Sequence, residues 1–273
     1  VGPSAEAAAL EGSKIFAKQF MDAYAVPTPN WRSAATAGEA IAAIDEIGLP
    51  VVVKADGLAA GKGVVVAEDR SEAKRAVHRF MVDSELGEAG RRVVVEQCLS
   101  GTELSLFLLT DGSDYETLAT AMDHKRVGEG NTGANTGGMG VIAPHPLETK
   151  ELLSELSERI VRPTLTGLSD RGYYYRGVLF VGVMLTDCGP QVLEYNVRLG
   201  DPETQAILPR LQSDLLPLLL STARGRLRDA APLWSDAVAV TVVAASRGYP
   251  KCYETGFPIS GVEPPPSRRR LWE

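Results

Sequence analysis

A glycine-rich loop beside two lysines is the first feature of this sequence that could do chemistry. Residues 57–63 are rich in glycine and contain Lys62, and Lys54 ends the apolar run just before them. Glycines let backbone N–H groups approach phosphate oxygens, and a lysine adds a positive charge. A Walker A loop is excluded, because no Ser or Thr follows Lys62 and a strand-like run comes next instead of a helix. The pattern predicts a flexible hairpin lid over phosphates, with an ordinary glycine-rich hairpin as the alternative.

The segment from Glu96 to Leu99 could bind a purine, because it follows an apolar run typical of a buried strand. At such a hinge the backbone can hydrogen-bond a purine edge. Carboxylates such as Glu96 and Glu103 can accept hydrogen bonds from an exocyclic amine or from ribose hydroxyls. A strand end followed by solvated acidic residues would show the same pattern.

Three polar side chains alternate along a strand-like segment near residue 196. Residues i and i+2 of a strand share a face, so Glu194, Asn196 and Arg198 can point together. Two oxygen ligands suit magnesium, which also takes phosphates and water, and an arginine can clamp phosphate. The alternative is the polar outer face of an edge strand. Asp201 and Pro202 then predict a helix start, with Asp201 as N-cap and an anion site at that N-terminus.

A basic segment followed by a glycine-rich turn forms the fourth motif. Asp123 is followed by His124, Lys125 and Arg126, and the turn Asn-Thr-Gly-Gly-Met-Gly occupies residues 135–140. Cations beside such a turn can form a nest for a sugar phosphate. A mobile basic surface loop is the alternative, and His124 could be a base or a structural histidine.

The elements that must position these motifs alternate between helical and strand patterns. The capping box Thr36/Glu39 predicts a helix start, and residues 178–185 and 191–195 are predicted to pair as an antiparallel hairpin. Residues 123–146 show no periodicity and are predicted to be a long functional loop. The remaining predicted helices are 4–24, 71–82, 148–167 and 211–224, and the remaining strands are 51–54, 64–67, 92–96, 104–109, 117–121 and 237–245.

The net charge, the length of the apolar runs and the cysteine count exclude several classes of protein. The 273 residues carry a net charge of −7, whereas a nucleic-acid or anionic-membrane partner normally needs a basic face. No apolar run approaches the ~20 residues of a membrane span. Three separated cysteines argue against a disulfide framework or a structural zinc site. We therefore predict a cytoplasmic protein that binds neither nucleic acid nor membranes.

Taken in order, the four motifs resemble the phosphoribosylamine–glycine ligase family (glycinamide ribonucleotide synthetases) of the ATP-grasp superfamily. The resemblance covers essentially the whole chain. The run VKADGLAAGKG at residues 53–63 and the pair DHKR and NTGGMG are specific to that family, whereas Glu-x-Asn marks only the superfamily. The resemblance implies an α+β ATP-grasp fold, in which two α+β lobes clasp ATP, followed by the start of a C-terminal domain.

The resemblance also implies residue roles. The residues that would contact ATP are Lys14, Lys54, Lys62, Glu96, Leu99 and Glu103. Of these, Glu96 and the Leu99 backbone would meet adenine, and Glu103 would meet the ribose. Glu194 and Asn196 would hold Mg²⁺ or Mn²⁺, and the catalytic residues would be Arg198 and Lys62. The residues around 5-phosphoribosylamine and glycine would be Asp123, Lys125, Arg126, Asn135, Thr136, Gly137, Gly138, Arg198 and Asp201.

The implied reaction joins glycine to 5-phosphoribosylamine through glycyl phosphate at the expense of ATP. It needs no enzyme nucleophile, which agrees with the lack of a Ser-His or Cys-His arrangement. The alternatives are another ATP-grasp carboxylate–amine ligase, or a nucleotide-binding fragment that is inactive without further domains.

The family's domain pattern suggests how the chain is divided. Residues 1–225 would form the ATP-grasp domain, with a small lobe at about 50–120, and 226–273 a linker and the start of a C-terminal domain. The resemblance would leave the family's N-terminal Rossmann-like domain absent from this sequence. The start without Met and the Pro- and Arg-rich residues 264–270 lead us to expect a piece of a longer protein. Gly182 stands where some ATP-grasp ligases have a third acidic metal ligand, and Ala134 replaces the usual proline.

Overall fold

A computed structural model describes residues 1–59 and 62–261 and shows helices and antiparallel strands mixed along the chain. Two glycine-loop residues, 60 and 61, and the Pro- and Arg-rich segment 264–270 lie outside the described residues. The strands are β1 (Gly2–Pro3), β2 (Trp31–Ala34), β3 (Val51–Ala55), β4 (Val64–Ala67), β5 (Val93–Gln97), β6 (Thr102–Thr110), β7 (Tyr115–Asp123), β8 (Arg126–Gly128), β9 (Thr132–Asn135), β10 (Gly140–Ala143), β11 (Tyr175–Thr186), β12 (Gly189–Asn196) and β13 (Ala239–Val242). The α-helices are α1 (Ala5–Gly12), α2 (Lys14–Ala23), α3 (Ala37–Ile47), α4 (Arg70–Val77), α5 (Lys150–Leu156), α6 (Arg162–Asp170), α7 (Glu203–Ile207) and α8 (Leu215–Arg224). Shorter helical turns are His78–Val82 and Ser157–Val161, both π-helical, and Gly87–Gly90, Leu208–Arg210 and Leu227–Asp229, all 3₁₀.

The smaller sheet has four strands in the order β2-β5-β3-β4, and every neighbouring pair is antiparallel. Helices α3 and α4 cover one of its faces, where Val53 and Val95 pack against Ile44 and other apolar side chains. Because side chains alternate across a strand, the opposite face receives Lys54 from β3 and Glu96 from β5. The sheet therefore presents a lysine and a glutamate on the face that its helices leave uncovered.

The larger sheet runs in the order β1-β11-β6-β7-β10-β13, and β12 also pairs with β11. Its central strand β6 is covered on both faces. Leu106 and Leu108 enter a core with α1, α2, α5 and α6, whereas Phe107 and Leu109 enter a second core with α7 and α8. A strand buried on both faces needs apolar side chains at every position, which explains the unbroken apolar run in β6.

Several sequence predictions are confirmed. The Thr36 hydroxyl accepts from the Glu39 N–H, and the Glu39 carboxylate accepts from the Thr36 N–H, which completes the capping box. Strands β11 and β12 form the predicted antiparallel hairpin. The mixture of helices with antiparallel strands confirms the α+β class. Among the described residues, no helix combines the length and the apolarity that crossing a membrane requires.

Other predictions differ from the structure. The helix predicted at 4–24 is two helices, because Ser13 is extended and caps α2 through its side chain. The loop predicted at 123–146 contains the ribbon β8–β9 and strand β10. Asp201 is not the N-cap of α7; its carboxylate accepts instead from the Gln205 amide at 2.7 Å. That helix has only five residues, so the predicted anion site at its N-terminus lacks a well-formed helix end.

The lobe boundaries also differ from the predicted ones. The four-stranded sheet and its helices occupy residues 31–97, whereas the predicted small lobe covered about 50–120. Strands β6 and β7 pair within the larger sheet, so they do not belong to the small lobe. Strand β13 pairs with β10 and extends the larger sheet, although it was predicted to begin another domain.

Candidate active site

A buried cluster of two lysines and one glutamate lies where the small sheet meets β12. One Glu96 oxygen is 2.5 Å from Lys54 Nζ, and the other is 2.6 Å from Lys18 Nζ. All three side chains are less than a tenth exposed. Lys18 comes from α2, four residues after Lys14, so the two lysines can lie on one side of that helix. This i,i+4 spacing is the signal that could have identified Lys18 from the sequence.

The charges of this cluster depend on one another. Burial lowers the pKa of Lys18 to about 8, against the opposing attraction of Glu96. Burial alone would raise the pKa of Glu96, but Lys54 and Lys18 together hold it below its ordinary value. Each Glu96 oxygen contacts a lysine. A hydrogen bond from adenine to Glu96, as predicted, would therefore use an oxygen that already has a lysine partner.

The cluster also connects the two sheets. Lys54 donates to the Leu193 carbonyl of β12 at 3.3 Å. Lys18 donates to the Thr28 hydroxyl at 2.7 Å, and that hydroxyl donates to the Val192 carbonyl, also on β12. The side chains that hold Glu96 therefore also fix the small sheet against β12.

Lys14 lies beside the start of the glycine loop. Its Nζ donates to the Gly57 carbonyl at 3.4 Å, and burial lowers its pKa although Glu194 opposes this shift. Asp56, which directly precedes Gly57, accepts from the Ser13 hydroxyl and the Ile15 N–H, both at 2.8 Å. Asp56 thus anchors the N-terminus of α2 to the small sheet and places Lys14 at the loop. Lys62, on the far side of the loop, is exposed.

The predicted metal-binding pair lies on β12. Glu194 is half-buried, and Asn196 is only 7% exposed. The Asn196 Oδ1 accepts from Arg198 Nη2 at 3.1 Å, while its Nδ2 is buried and has no hydrogen-bond partner in the described part of the chain. The amide is therefore incompletely satisfied by the protein alone.

Arg198 is held by a residue that sequence reasoning missed. Glu11, at the end of α1, contacts Arg198 Nε through one carboxylate oxygen at 2.9 Å. Its other oxygen accepts from the Val197 N–H at 2.8 Å. Glu11 lies 187 residues before Arg198, so no local pattern could have paired them.

The donor set on β12 fits a hard divalent cation. Glu194 offers a carboxylate, and Asn196 offers its amide Oδ1, which accepts from Arg198, whereas the unpaired Nδ2 of that amide is a hydrogen-bond donor. No group of three or more His, Cys, Asp or Glu side chains that could hold a metal ion occurs in residues 1–59 and 62–261. Such a pair suits Mg²⁺ or Mn²⁺ that takes its other ligands from phosphates and water.

Glu103 and Lys125 were predicted to serve different ligands, but they form an ion pair. Lys125 Nζ is 2.9 Å from a Glu103 carboxylate oxygen. Burial alone would lower the pKa of Lys125, but Glu103 and Glu194 raise it above its ordinary value. Lys125 therefore remains protonated and bridges the predicted ribose residue and the predicted sugar-phosphate loop.

Asp123, at the end of β7, has a carboxyl group whose pKa is raised well above its ordinary value. Burial raises its pKa to about 7, and the nearby carboxylate of Glu203 adds to the shift. One Asp123 oxygen is buried and lacks a hydrogen-bond partner among the described residues. A group with this pKa exchanges its proton near neutral pH.

The glycine-rich turn after β9 does not present the free nest that the sequence predicts. Thr136 and Met139 donate their N–H groups to the carbonyls of Lys125 and His124. The other two N–H groups of the turn also have acceptors: Gly138 donates to the Thr136 hydroxyl, and Gly137 donates to the Tyr249 hydroxyl at 3.1 Å. Binding of phosphate to this turn would therefore involve side chains.

The remaining predicted residues lie at the edges of these groups. Arg126 pairs with Asn135 across the β8–β9 ribbon and donates to the Gly133 carbonyl at 2.8 Å. Leu99 is half-buried just after β5, and Asp201 is exposed. All three cysteines are free, and Cys188 and Cys252 are exposed.

Two sheets that meet at a lysine–glutamate cluster, with a carboxylate and an amide on the facing strand, define the ATP-grasp class of protein. The family model described as phosphoribosylglycinamide synthetase, ATP-grasp (A) domain, matches residues 12–204, and the chain belongs to this family.

Individual relatives agree with this family. The chain is 50% identical to phosphoribosylamine–glycine ligase of Rhizobium meliloti over 96% of its own length and 62% of the relative's. It is also 50% identical to the enzyme of that name from Chlorobaculum tepidum, over 95% of this chain and 61% of the relative. The crystal structure of phosphoribosylamine–glycine ligase from Thermotoga maritima superposes with a TM-score of 0.85 at 38% identity, covering 93% of this chain and 64% of that one. The chain thus spans about three fifths of the length of these relatives.

Proposed function

We propose that the chain carries the ATP-grasp site of a phosphoribosylamine–glycine ligase. Such an enzyme joins glycine to 5-phosphoribosylamine and yields glycinamide ribonucleotide, ADP and phosphate. The observation that carries the proposal is the arrangement of Lys14, Lys54 and Glu96 opposite Glu194 and Asn196, in a chain about half identical to ligases of that name. The free cysteines and acidic composition are in keeping with a cytoplasmic location, which we propose with it.

The first step would transfer the γ-phosphoryl group of ATP to glycine. A glycine carboxylate oxygen attacks the γ-phosphorus, the bond to the bridging oxygen breaks, and ADP leaves. Lys14 and Lys54 supply positive charge near the phosphates, with Lys62 on the glycine loop, and Arg198 supplies charge beside β12. Fixed positive groups of this kind stabilise the charge that spreads over a transferring phosphoryl group.

Glu194 and Asn196 would hold Mg²⁺ or Mn²⁺, which supplies positive charge next to phosphate oxygens when bound. In the second step the amine of phosphoribosylamine attacks the carbonyl carbon of glycyl phosphate. The carbon–oxygen bond to phosphate breaks, and the amine gives up a proton as the amide forms. Asp123, Lys125 and Arg126 are the proposed contacts of this half of the site.

Phosphate release from ATP tests the proposal. We expect phosphate release to require glycine and phosphoribosylamine together. We expect Glu194→Ala to abolish this release, while the variant still binds nucleotide without metal. Near-normal turnover of Glu194→Ala at saturating Mg²⁺ would contradict the metal assignment. Nucleotide binding without turnover, with all substrates present, would instead identify the chain as a binding module that lacks parts needed for ligation.

A further inference from the structure

Tyr249 reaches the glycine-rich turn from the last described part of the chain. Strand β13 pairs with β10, and the next residue, Val243, donates its N–H to the Met139 carbonyl at 2.9 Å. The chain then returns to the turn, where the Tyr249 hydroxyl lies 3.1 Å from the Gly137 nitrogen. Tyr249 lies outside residues 12–204, so the family match assigns it no part in the site.

The backbone around Tyr249 is folded into a tight turn that fixes its ring. Tyr249 donates its N–H to the Ser246 carbonyl at 3.1 Å, and Lys251 donates to the Gly248 carbonyl at 3.0 Å. Gly248 has φ +96° and lies so close to the Cys252 carbonyl that a Cβ there would be 2.2 Å from its oxygen. The Tyr253 ring packs edge-on against the Tyr249 ring at 5.2 Å. These contacts fix the backbone at Tyr249, and the Tyr253 ring packs against its phenol beside the turn.

The hydrogen bond to Gly137 leaves the phenol proton unused. A backbone N–H can only donate, so the Tyr249 oxygen must be the acceptor in this pair. The hydroxyl proton has no acceptor among residues 1–59 and 62–261. Tyr249 therefore offers a donor, polarised by the Gly137 N–H, at a turn whose other N–H groups are already bonded within the protein.

Two cationic residues, Lys125 and Arg126, adjoin this donor, and the Asp123 carboxylate lies beside Gly138. Lys125 accepts the Thr136 N–H with its carbonyl, and Arg126 pairs with Asn135, so both cationic residues adjoin the turn. We propose that Tyr249 is a further substrate-binding residue, whose hydroxyl donates to a phosphate oxygen of the sugar-phosphate substrate. This inference rests on the proposed function, because that function supplies a phosphate monoester to this corner of the site.

Ribose 5-phosphate is a stable probe of the interaction. The affinities of the full chain and of Tyr249→Phe for ribose 5-phosphate and for ATP are measured separately by titration calorimetry. A hydrogen bond to a charged phosphate corresponds to a loss of roughly ten- to a hundredfold in affinity when its donor is removed. We expect this loss for ribose 5-phosphate, with the affinity for ATP unchanged.

Tyr253→Phe is the matched control, because it removes a hydroxyl from the neighbouring ring, which is 46% exposed. It should bind both probes as the unchanged chain does. Equal ribose 5-phosphate affinity of Tyr249→Phe and the unchanged chain would overturn the inference alone, as would a parallel loss of ATP affinity. Failure of the unchanged chain to bind ribose 5-phosphate would overturn the sugar-phosphate assignment, and the role of Tyr249 with it.

Discussion

The side chain of Arg198 is held in place by the carboxylate of Glu11. The carboxylate of Glu11 contacts both the guanidinium and the Val197 N–H, so it fixes the side chain and the backbone that carries it. Arg198 in turn donates to Asn196, so the orientation of the proposed metal-binding amide depends on Glu11. Glu11 thus positions two proposed functional groups without touching a reacting atom.

Replacing Glu11 should lower turnover more than nucleotide binding. Glu11→Gln removes the charge that orients Arg198, and a charged hydrogen bond contributes about 1.5–3 kcal/mol. We expect kcat to fall roughly ten- to a hundredfold, with the Kd for ATP within about threefold of the original. Steady-state phosphate release and nucleotide titration measure the two quantities.

Glu6→Gln, on the same helix, is the control for that experiment. Glu6 lies at the exposed start of α1, so its neutralisation should leave kcat unchanged. If Glu11→Gln retains the kcat of this control, Arg198 does not need the carboxylate, and the positioning role of Glu11 is excluded.

The β8–β9 ribbon separates two neighbouring cations that the sequence had grouped together. Lys125 precedes it and pairs with Glu103 on β6, whereas Arg126 bonds within the ribbon to the Gly133 carbonyl. Two adjacent cations are therefore tied to different neighbours. Lys125 is paired with Glu103, the proposed ribose contact, whereas Arg126 contacts the ribbon that leads into the glycine-rich turn.

The ribbon predicts different effects for its two cations. Arg126→Ala should weaken ribose 5-phosphate binding by one to two orders of magnitude and leave ATP affinity unchanged, because a guanidinium can hold phosphate through two hydrogen bonds. Lys125→Ala should weaken both ligands, because it also releases Glu103. Separate titrations of each variant with each ligand decide between these patterns. Loss of ATP affinity alone in Arg126→Ala would assign the ribbon to the nucleotide half.

The ribbon also illustrates which elements the sequence could predict. Strands β6 and β11 are long and buried, so their apolar side chains mark them clearly. Strands β8 and β9 have three and four residues, carry no buried side chain and show no alternation, so their pairing leaves no periodic signal. The break between α1 and α2 depends on the local N-cap Ser13, and the distant Asp56, which accepts from the Ser13 hydroxyl and the Ile15 N–H, leaves no local pattern.

The site residues divide in the same way. Lys54 and Glu96 could be predicted because each directly follows a run of three valines next to a recognisable motif. Lys18 lies 78 positions before Glu96 and Tyr249 lies 112 positions after Gly137, so only the folded chain brings these pairs together. Apart from the i,i+4 spacing of Lys14 and Lys18 on α2, these contacts are set by tertiary packing and leave no local pattern.

Across the whole molecule, the buried cluster around Glu96 joins the small sheet to the larger one. Removing one member of a buried ion pair leaves a charge without a partner, which destabilises proteins by about 3–5 kcal/mol. We expect Glu96→Gln to lower the Tm by roughly 10 °C, because it strands Lys18 and Lys54 in a buried place. Calorimetric unfolding measures this shift.

An exposed ion pair on the small lobe provides the comparison. Glu46 pairs with Arg32, and both side chains are about half exposed. Exposed pairs contribute at most about 1 kcal/mol, so Glu46→Gln should change the Tm by no more than a few degrees. Equal Tm shifts for Glu46→Gln and Glu96→Gln would mean that the cluster does not hold the lobes together.

Strand β13 ends the larger sheet on one side, and it is the strand that leads the chain toward Tyr249. Its pairing with β10 leaves its outer backbone edge without a strand partner in the described part of the chain. Val240 and Val242 are 63% and 81% exposed on the same face. An apolar strand with unpaired N–H and C=O groups is a template on which a second chain can add a strand. Self-association of this chain at high concentration would therefore begin at β13 and would grow as an extension of the sheet itself.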